Sequence, residues 1–419
     1  MSDNLKIPYG ISSFTRLRGE GYYYIDKTSY INTLELCGSF LFFVRPRRFG
    51  KSLFISMLES YYDVAEKDRF LELFGDLDIG RNPTENANRY QVLSMDFSKV
   101  NTCDGDTLQA RFANYVNTCL SGFLGKYESL YGNEFWRVNP DAKEKGLFTA
   151  ITTFAKNKGY HLYLFIDEYD NFTNAMLRAE GNVSYEAITH GQGFYREWFK
   201  GFKGSFDRIF MTGVSPVTMD DLTSGFNIAS NISQAAACNA MIGFSEAEVL
   251  KMYTDFKGTA FYADGAPADW VRDIKPWYDG YCFAEKKRGR ESVFNSDMSL
   301  YFLQALVKTG EPPKNWVDSN QPSEELLQLK NCERFITETY SPDWLSVSSV
   351  LQASLSEDDI DLPVLSQFDF EAIDDQKTFL SLFYYYGILT LKRYHHGQYY
   401  YGFPNEWRRC QAQVAVEDL

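Results

Sequence analysis

A five-residue apolar run, FLFFV at 40–44, breaks off at a basic stretch, RPRRFGKS at 45–52. Beyond it Leu53, Met57, Leu58 and Tyr61 recur at three- and four-residue steps. The run has the length of a buried strand, and the recurrence that follows has the period of a helix with one buried face. Two more runs read as strands, VLSMDF at 92–97 and FDRIFMTGV at 206–214. A further one, LYLFI at 162–166, ends in the paired acids Asp167 and Glu168. Between these runs the pattern predicts helices over 107–123 and 146–156, long enough to cross over between parallel strands. Past about residue 245 helices dominate. Ser245 and Glu248 have capping-box spacing at the start of a helix over 245–256. Residues 376–386 are again helical in pattern, and ILTLKRY, a HHG turn and QYYYGF read as a β-hairpin. Helix followed by hairpin suggests a winged-helix-like module.

Strand, tight loop, Gly-Lys-Ser and helix is the context of a phosphate-binding loop. Gly50 lets the backbone approach an anion, Lys51 can reach the β- and γ-phosphates, and Ser52 can ligate magnesium. The first turn of the helix offers unpaired N–H groups. Arg45 stands where the first glycine of that motif belongs, and Pro46 follows it. Arg47 and Arg48 add charge near a polyphosphate or brace the loop through acidic neighbours. A basic strand-to-helix loop with an incidental Gly-Lys-Ser is the alternative. An apolar strand ending in two acids fits the magnesium and water side of the same chemistry, with Asp167 holding the ion and Glu168 acting as general base. Adjacent strand residues face opposite ways, so separate roles require that the strand end there. Acids that merely cap a helix are the alternative. Thr212 and Ser215, just past the apolar part of the 206–214 strand, can sense the γ-phosphate or the lytic water, or simply form a turn. Asp96 is open to the same two readings.

The expected fold is therefore α/β. It is a P-loop NTPase with a mostly parallel sheet flanked by helices over 1–245, followed over 246–419 by a helical and winged-helix-like region. With 419 residues, 44% hydrophobic and 17% aromatic, the chain can bury such a core. Its 42 basic residues against 56 acidic give a net charge of −14, which argues against a broad nucleic-acid-coating surface. Lys392, Arg393, Arg408 and Arg409 make only a small basic set on the hairpin module, which favours protein packing over DNA contact. Tyr384–Tyr386 and Tyr399–Tyr401 are read as packing residues of that module. His395 and His396 are adjacent and point apart, a poor arrangement for joint metal ligation. The seven cysteines are scattered without a CxxC pair, as free thiols in a reducing compartment would be. The N-terminus has no apolar leader, and no membrane-spanning run is present, so the expectation is a cytoplasmic protein with no membrane partner.

Several stretches resemble one bacterial family, the AAA-ATPase-like proteins, P-loop ATPases that often carry a C-terminal PD-(D/E)xK nuclease. These are IPYGISSF (7–14), YYYIDKTSYI (22–31), RPRRFGKSL (45–53), LFIDEYDN (164–171), MTGVSP (211–216), SGFN (224–227), IGFSEAEV (242–249), WYDGYCF (277–283) and FPNEW (403–407). RPRRFGKS without its first glycine looks like that family's own Walker A variant. The resemblance implies ATP and Mg2+ as ligands, a binding segment formed by Arg47, Arg48, Phe49, Gly50, Lys51, Ser52 and Leu53, and a metal held by Ser52 and Asp167. Lys51, Glu168 and Thr212 are the candidate catalytic residues. The resemblance also places Asp26, Lys27 and Thr28 near the nucleotide, although DKT alone reads as a helix N-cap. WYDGYCF is expected to contact the ATPase core, with Asp279 touching a loop arginine. No PD-(D/E)xK arrangement follows FPNEW, so nuclease activity is not expected from these residues. The implied function is an ATP-dependent switch that closes a lid, with self-association or a nuclease or effector as partner and nucleic acid left open. The alternatives are a nucleotide-binding scaffold that hydrolyses little and, more remotely, a phosphotransferase. An arginine finger could come from Arg47, Arg48, Arg208 or another subunit. No guanine-reading NKxD pattern is present, and the assignment to ATP rests on the resemblance.

Overall fold

In the computed structural model, residues 5–100, 107–171, 194–216, 229–257, 265–316, 324–340, 346–356, 360–361, 364, 375–395 and 398–417 are described. The SGFN stretch and His396 lie outside them.

Five strands, β1 (Phe40–Val44), β2 (Gln91–Asp96), β3 (Leu162–Asp167), β4 (Arg208–Gly213) and β5 (Ser230–Asn231), form one sheet in the order β2-β3-β4-β1-β5. Every pairing is parallel. Parallel strands with both faces covered need apolar residues throughout, and FLFFV and LYLFI supply them. The crossovers are helical: α1 (Lys51–Tyr62) follows β1, while α2 (Leu108–Lys126) and α3 (Leu147–Lys158) separate β2 from β3. Thr107 caps α2 by accepting from Ala110 N–H at 3.2 Å, and Gly159 ends α3 in the left-handed conformation.

The strand order decides where the chemistry meets. β4 lies between β1 and β3, with Phe43 opposite Thr212 and Ile166 opposite Met211. The ends of all three strands therefore open on the same edge of the sheet, and Arg45 N–H donates to Gly213 O at 3.2 Å.

The C-terminal part is mostly helical. The capping box at Ser245 and Glu248 starts α4 (Glu246–Phe256), and α5 (Ser296–Thr309) is capped by Asn295. Further on, β6 (Ile360–Asp361) and, after α6 (Gln376–Tyr385), β7 (Thr390–His395) and β8 (Gln398–Gly402) form a three-stranded antiparallel sheet ordered β6-β8-β7. Apolar packing around the parallel sheet continues into Tyr281, Phe283, Val293 and Phe379. A second cluster is built on Val249, Met252, Ile274 and Phe302, and the N-terminal residues Ile7, Tyr23 and Ile25 pack against it. No described helix is long and apolar enough to cross a membrane.

Candidate nucleotide site

The loop after β1 is built unlike a glycine-first loop. Arg45 turns inward and is 2% exposed. Its guanidinium donates to the carbonyls of Val44 (2.9 Å), Ser233 (2.6 Å) and Cys238 (2.9 Å), and lies between the rings of Phe43 and Phe283, 4.3 and 4.1 Å from their centroids. Burial lowers its pKa to about 10, which still leaves it charged at neutral pH. Where a glycine would leave space, the arginine acts as a strut. Phe49 is also buried and meets Tyr281 and Phe283 edge-on, at centroid distances of 4.8 and 5.6 Å. A Cβ on Gly387 would stand 2.7 Å from Pro46 Cγ, so the turn after α6 packs directly under the loop.

Gly50 caps α1 with φ 94, a conformation open to glycine. Phe54 N–H is the first to bond back, to Gly50 O at 3.0 Å. The N–H groups of Lys51, Ser52 and Leu53 therefore have no partner within the helix and stand at the positive end of its dipole. Lys51 is buried. Its Nζ donates to the loop carbonyls of Arg45 (3.1 Å) and Pro46 (3.2 Å) and lies 3.8 Å from Glu168 Oε1. Ser52 Oγ donates to Asp167 Oδ2 at 2.6 Å. The two halves of the sequence motif thus meet at one place.

At the tip of β3 the chain leaves the extended conformation at once, for Glu168 has φ 50. That turn points Glu168 away from the alternation of the strand, as separate roles for two neighbouring acids require. Asp167 is pushed up to about 6 by burial and by the Glu168 charge, while Ser52 and Lys51 pull it down. Thr212 is buried at the end of β4, and its Oγ1 has no hydrogen-bond partner among the described residues. Asp170 was not singled out from the sequence. It is 1% exposed, and its carboxylate accepts from Val214 and Ser215 N–H.

A cavity of about 320 Å³ opens beside the loop, between Pro8, Ile11, Tyr23 and Ile25 on one side and Ile242, Phe244, Met252 and Asp297 on the other. Arg47, Arg48, Phe49, Gly50, Lys51, Ser52, Leu53 and Glu168 line its loop end, and Lys27 lines it too. The size is at the low end for ligand pockets, roughly 300–1,000 Å³. Lys27 Nζ is spent on Glu248 Oε2 (2.7 Å) and Ala240 O (3.1 Å), and burial lowers its pKa against the pull of Glu248.

Some sequence-level placements come out differently. Asp26 and Thr28 do not line the cavity. Asp26 accepts from Thr28 Oγ1 (2.6 Å) and Asp78 N–H (2.7 Å), and Thr28 Oγ1 accepts from Ile79 N–H (3.2 Å), so both hold a neighbouring turn in place. Asp279 accepts from Ser292 Oγ (3.0 Å) rather than meeting a loop arginine, and the WYDGYCF stretch reaches the loop through Tyr281 and Phe283 instead. Arg48 is paired with Asp297 at 3.2 Å. Arg208 starts β4 at the far end of the sheet, donating to Tyr90 OH (3.2 Å) and Gly38 O (3.4 Å), which removes it as an arginine finger within this chain. Asp96 caps a turn by accepting from Ser98 N–H at 3.0 Å.

A parallel α/β sheet whose first strand runs into a Gly-Lys-Ser turn defines the class of P-loop nucleotide-binding proteins. Within that class the chain belongs to the predicted AAA-ATPase family, whose model matches residues 8–223. It is also 28% identical over 325 residues to an uncharacterized protein encoded in the 5′ region of vnfD in Azotobacter chroococcum mcd 1. That match covers 76% of this chain and 55% of the relative, so the chain spans about half the length of that curated protein. No solved structure matches. Membership implies, at the level of the family, the use of ATP and Mg2+.

Proposed function

We propose that this chain binds Mg-ATP at residues 45–53 and hydrolyses it, and that the state of the nucleotide sets how residues 246–419 cover the site carried by residues 1–245. The observation that carries this reading is the hydrogen bond between Ser52 and Asp167, with Lys51 beside Glu168. The oxygen donors present fit magnesium: a hydroxyl and a carboxylate, few enough that the ion keeps waters, as it prefers. Ser52 and Asp167 would hold that ion, which would supply neutralisation of phosphate charge.

The chain's own groups supply the rest. Lys51 exchanges its two loop carbonyls for phosphate oxygens, and the free N–H groups of residues 51–53 cradle the polyphosphate. Glu168 takes the proton of the attacking water, and the unpartnered Thr212 hydroxyl donates to that water or to the γ-phosphate. Lys27 and Glu248 join the N-terminal wall of the cavity to α4, so closure around a nucleotide moves both together. The helix-and-sheet unit from α6 onward is read as a winged-helix-like cover, and a nuclease or effector partner as what the switch acts on.

Glu168→Gln tests the hydrolytic step. Phosphate release is expected to fall by about 10²–10⁴-fold while Mg-ATP still binds. A wild-type chain that binds Mg-ATP and releases no phosphate would instead be a nucleotide-binding scaffold.

A further inference from the structure

The turn that presents Glu168 is fastened on both sides. Asp170 Oδ1 and Oδ2 each accept from Val214 N–H at 3.2 Å. Oδ2 also accepts from Ser215 N–H at 3.0 Å and stands 3.4 Å from Ser215 Oγ. Successive amides aimed at one anion form a nest, and here the chain's own carboxylate fills it. Tyr169 adds two ties to the same segment: its N–H donates to Thr212 O at 3.1 Å, and its hydroxyl donates to Ser215 O. Gly213 lies beneath both side chains. A Cβ there would overlap Asp170 Oδ1 and approach the Tyr169 ring to 2.7 Å. Asn171 closes the other flank, with its N–H on Glu168 O at 3.0 Å and its Nδ2 on Phe97 O at 2.9 Å. Glu168 itself has φ 50, a conformation a non-glycine residue keeps only where its surroundings over-determine it.

We propose that Asp170 is a positioning residue of this site: bound to the end of β4, it holds the turn carrying Glu168 and the strand end carrying Thr212 in one fixed relation. The inference rests on the hydrolytic reading above and adds a residue to it. Asp170 is buried and does not line the cavity. It acts through the backbone of residues 212–215, so its loss is felt in the rate of hydrolysis and not in the affinity for nucleotide. Displacement of a catalytic group by about 1 Å is enough to cost about 10²-fold.

The test compares the full-length wild type with Asp170→Asn and Gly213→Ala, reading kcat and KM from phosphate release and Kd from calorimetric titration with Mg-ATP. Asparagine keeps the size of the side chain but removes the charge and one of the two acceptor oxygens, setting an NH2 against Val214 N–H, and alanine at 213 pushes the carboxylate out from the other side. In both variants kcat is expected to fall by about 10²-fold while KM and Kd stay within about threefold. Wild-type kcat, to within about twofold, in Asp170→Asn overturns the proposal. Loss of Mg-ATP binding in that variant overturns it as well, because it marks a residue required for folding or binding. Binding without phosphate release by the wild type is a different failure, which sinks the hydrolytic reading and this inference with it.

Discussion

Ser52 and Asp167, 115 positions apart in the chain, share a hydrogen bond of 2.6 Å at the edge of the parallel sheet. It joins the first turn of α1 to the last residue of β3 across the intervening strand β4. A helix N-terminus, a lysine and two carboxylates converge there, and the predictions below probe that convergence from different sides.

Lys51 Nζ is held against the loop by the carbonyls of Arg45 and Pro46. Lys51→Ala is expected to abolish Mg-ATP binding in a calorimetric titration, since it removes the ammonium proposed to meet the phosphates, while the fold persists by circular dichroism. Affinity equal to the wild type would contradict the placement of the nucleotide.

Arg45→Gly restores the usual first residue of the motif, and the geometry predicts that it harms the protein. Three carbonyls lose a buried charged donor, and two rings lose a stacked cation. Hydrogen bonds to a charged group are worth about 1.5–3 kcal/mol each, so a loss of at least about 3 kcal/mol is expected in denaturant unfolding. A variant as stable as the wild type would show that the strut is dispensable.

Asp167 has a pKa of about 6 in the folded chain, against an ordinary value of 3.8. A carboxyl whose pKa rises on folding favours the fold while protonated, and that contribution is lost as pH climbs through about 6. Without nucleotide, Asp167→Asn is therefore expected to melt above the wild type at about pH 7 and higher, with the gap narrowing toward about pH 4. A gap that widens on acidification would reverse the assigned direction. The same variant is expected to lose the dependence of ATP affinity on magnesium.

The four longer strands of the parallel sheet were legible because strands buried on both faces are mostly apolar. FLFFV at 40–44 coincides with β1, and the helix expected over 107–123 runs from Leu108 to Lys126. The capping box at Ser245 was equally plain, since its signal is local. β5 and β6 are two residues each, too short to carry a period. The inward turn of Arg45 could not be read either, because its partners at 233, 238 and 283 are set by tertiary packing. Asp170 stood in full view within LFIDEYDN, yet one acid past a strand resembles any solvated turn until the amides of Val214 and Ser215 are seen to face it. For Asp26 and Thr28 the plainer local reading of DKT comes closest to their geometry, a side chain folded back on neighbouring backbone.

Gly387 carries a consequence for how this protein can be divided. The small residue missing at position 45 is matched by one far downstream, where only the absence of a side chain lets a remote turn close on Pro46. The family match ends at residue 223, but the floor beneath the phosphate loop comes from residues 233–238, 281–283 and 387. A fragment trimmed to the matched segment would keep RPRRFGKSL and LFIDEYDN and lose the support that shapes the loop. A change packed under Pro46 in the distal half would in this way be felt at the phosphate end of the proximal one.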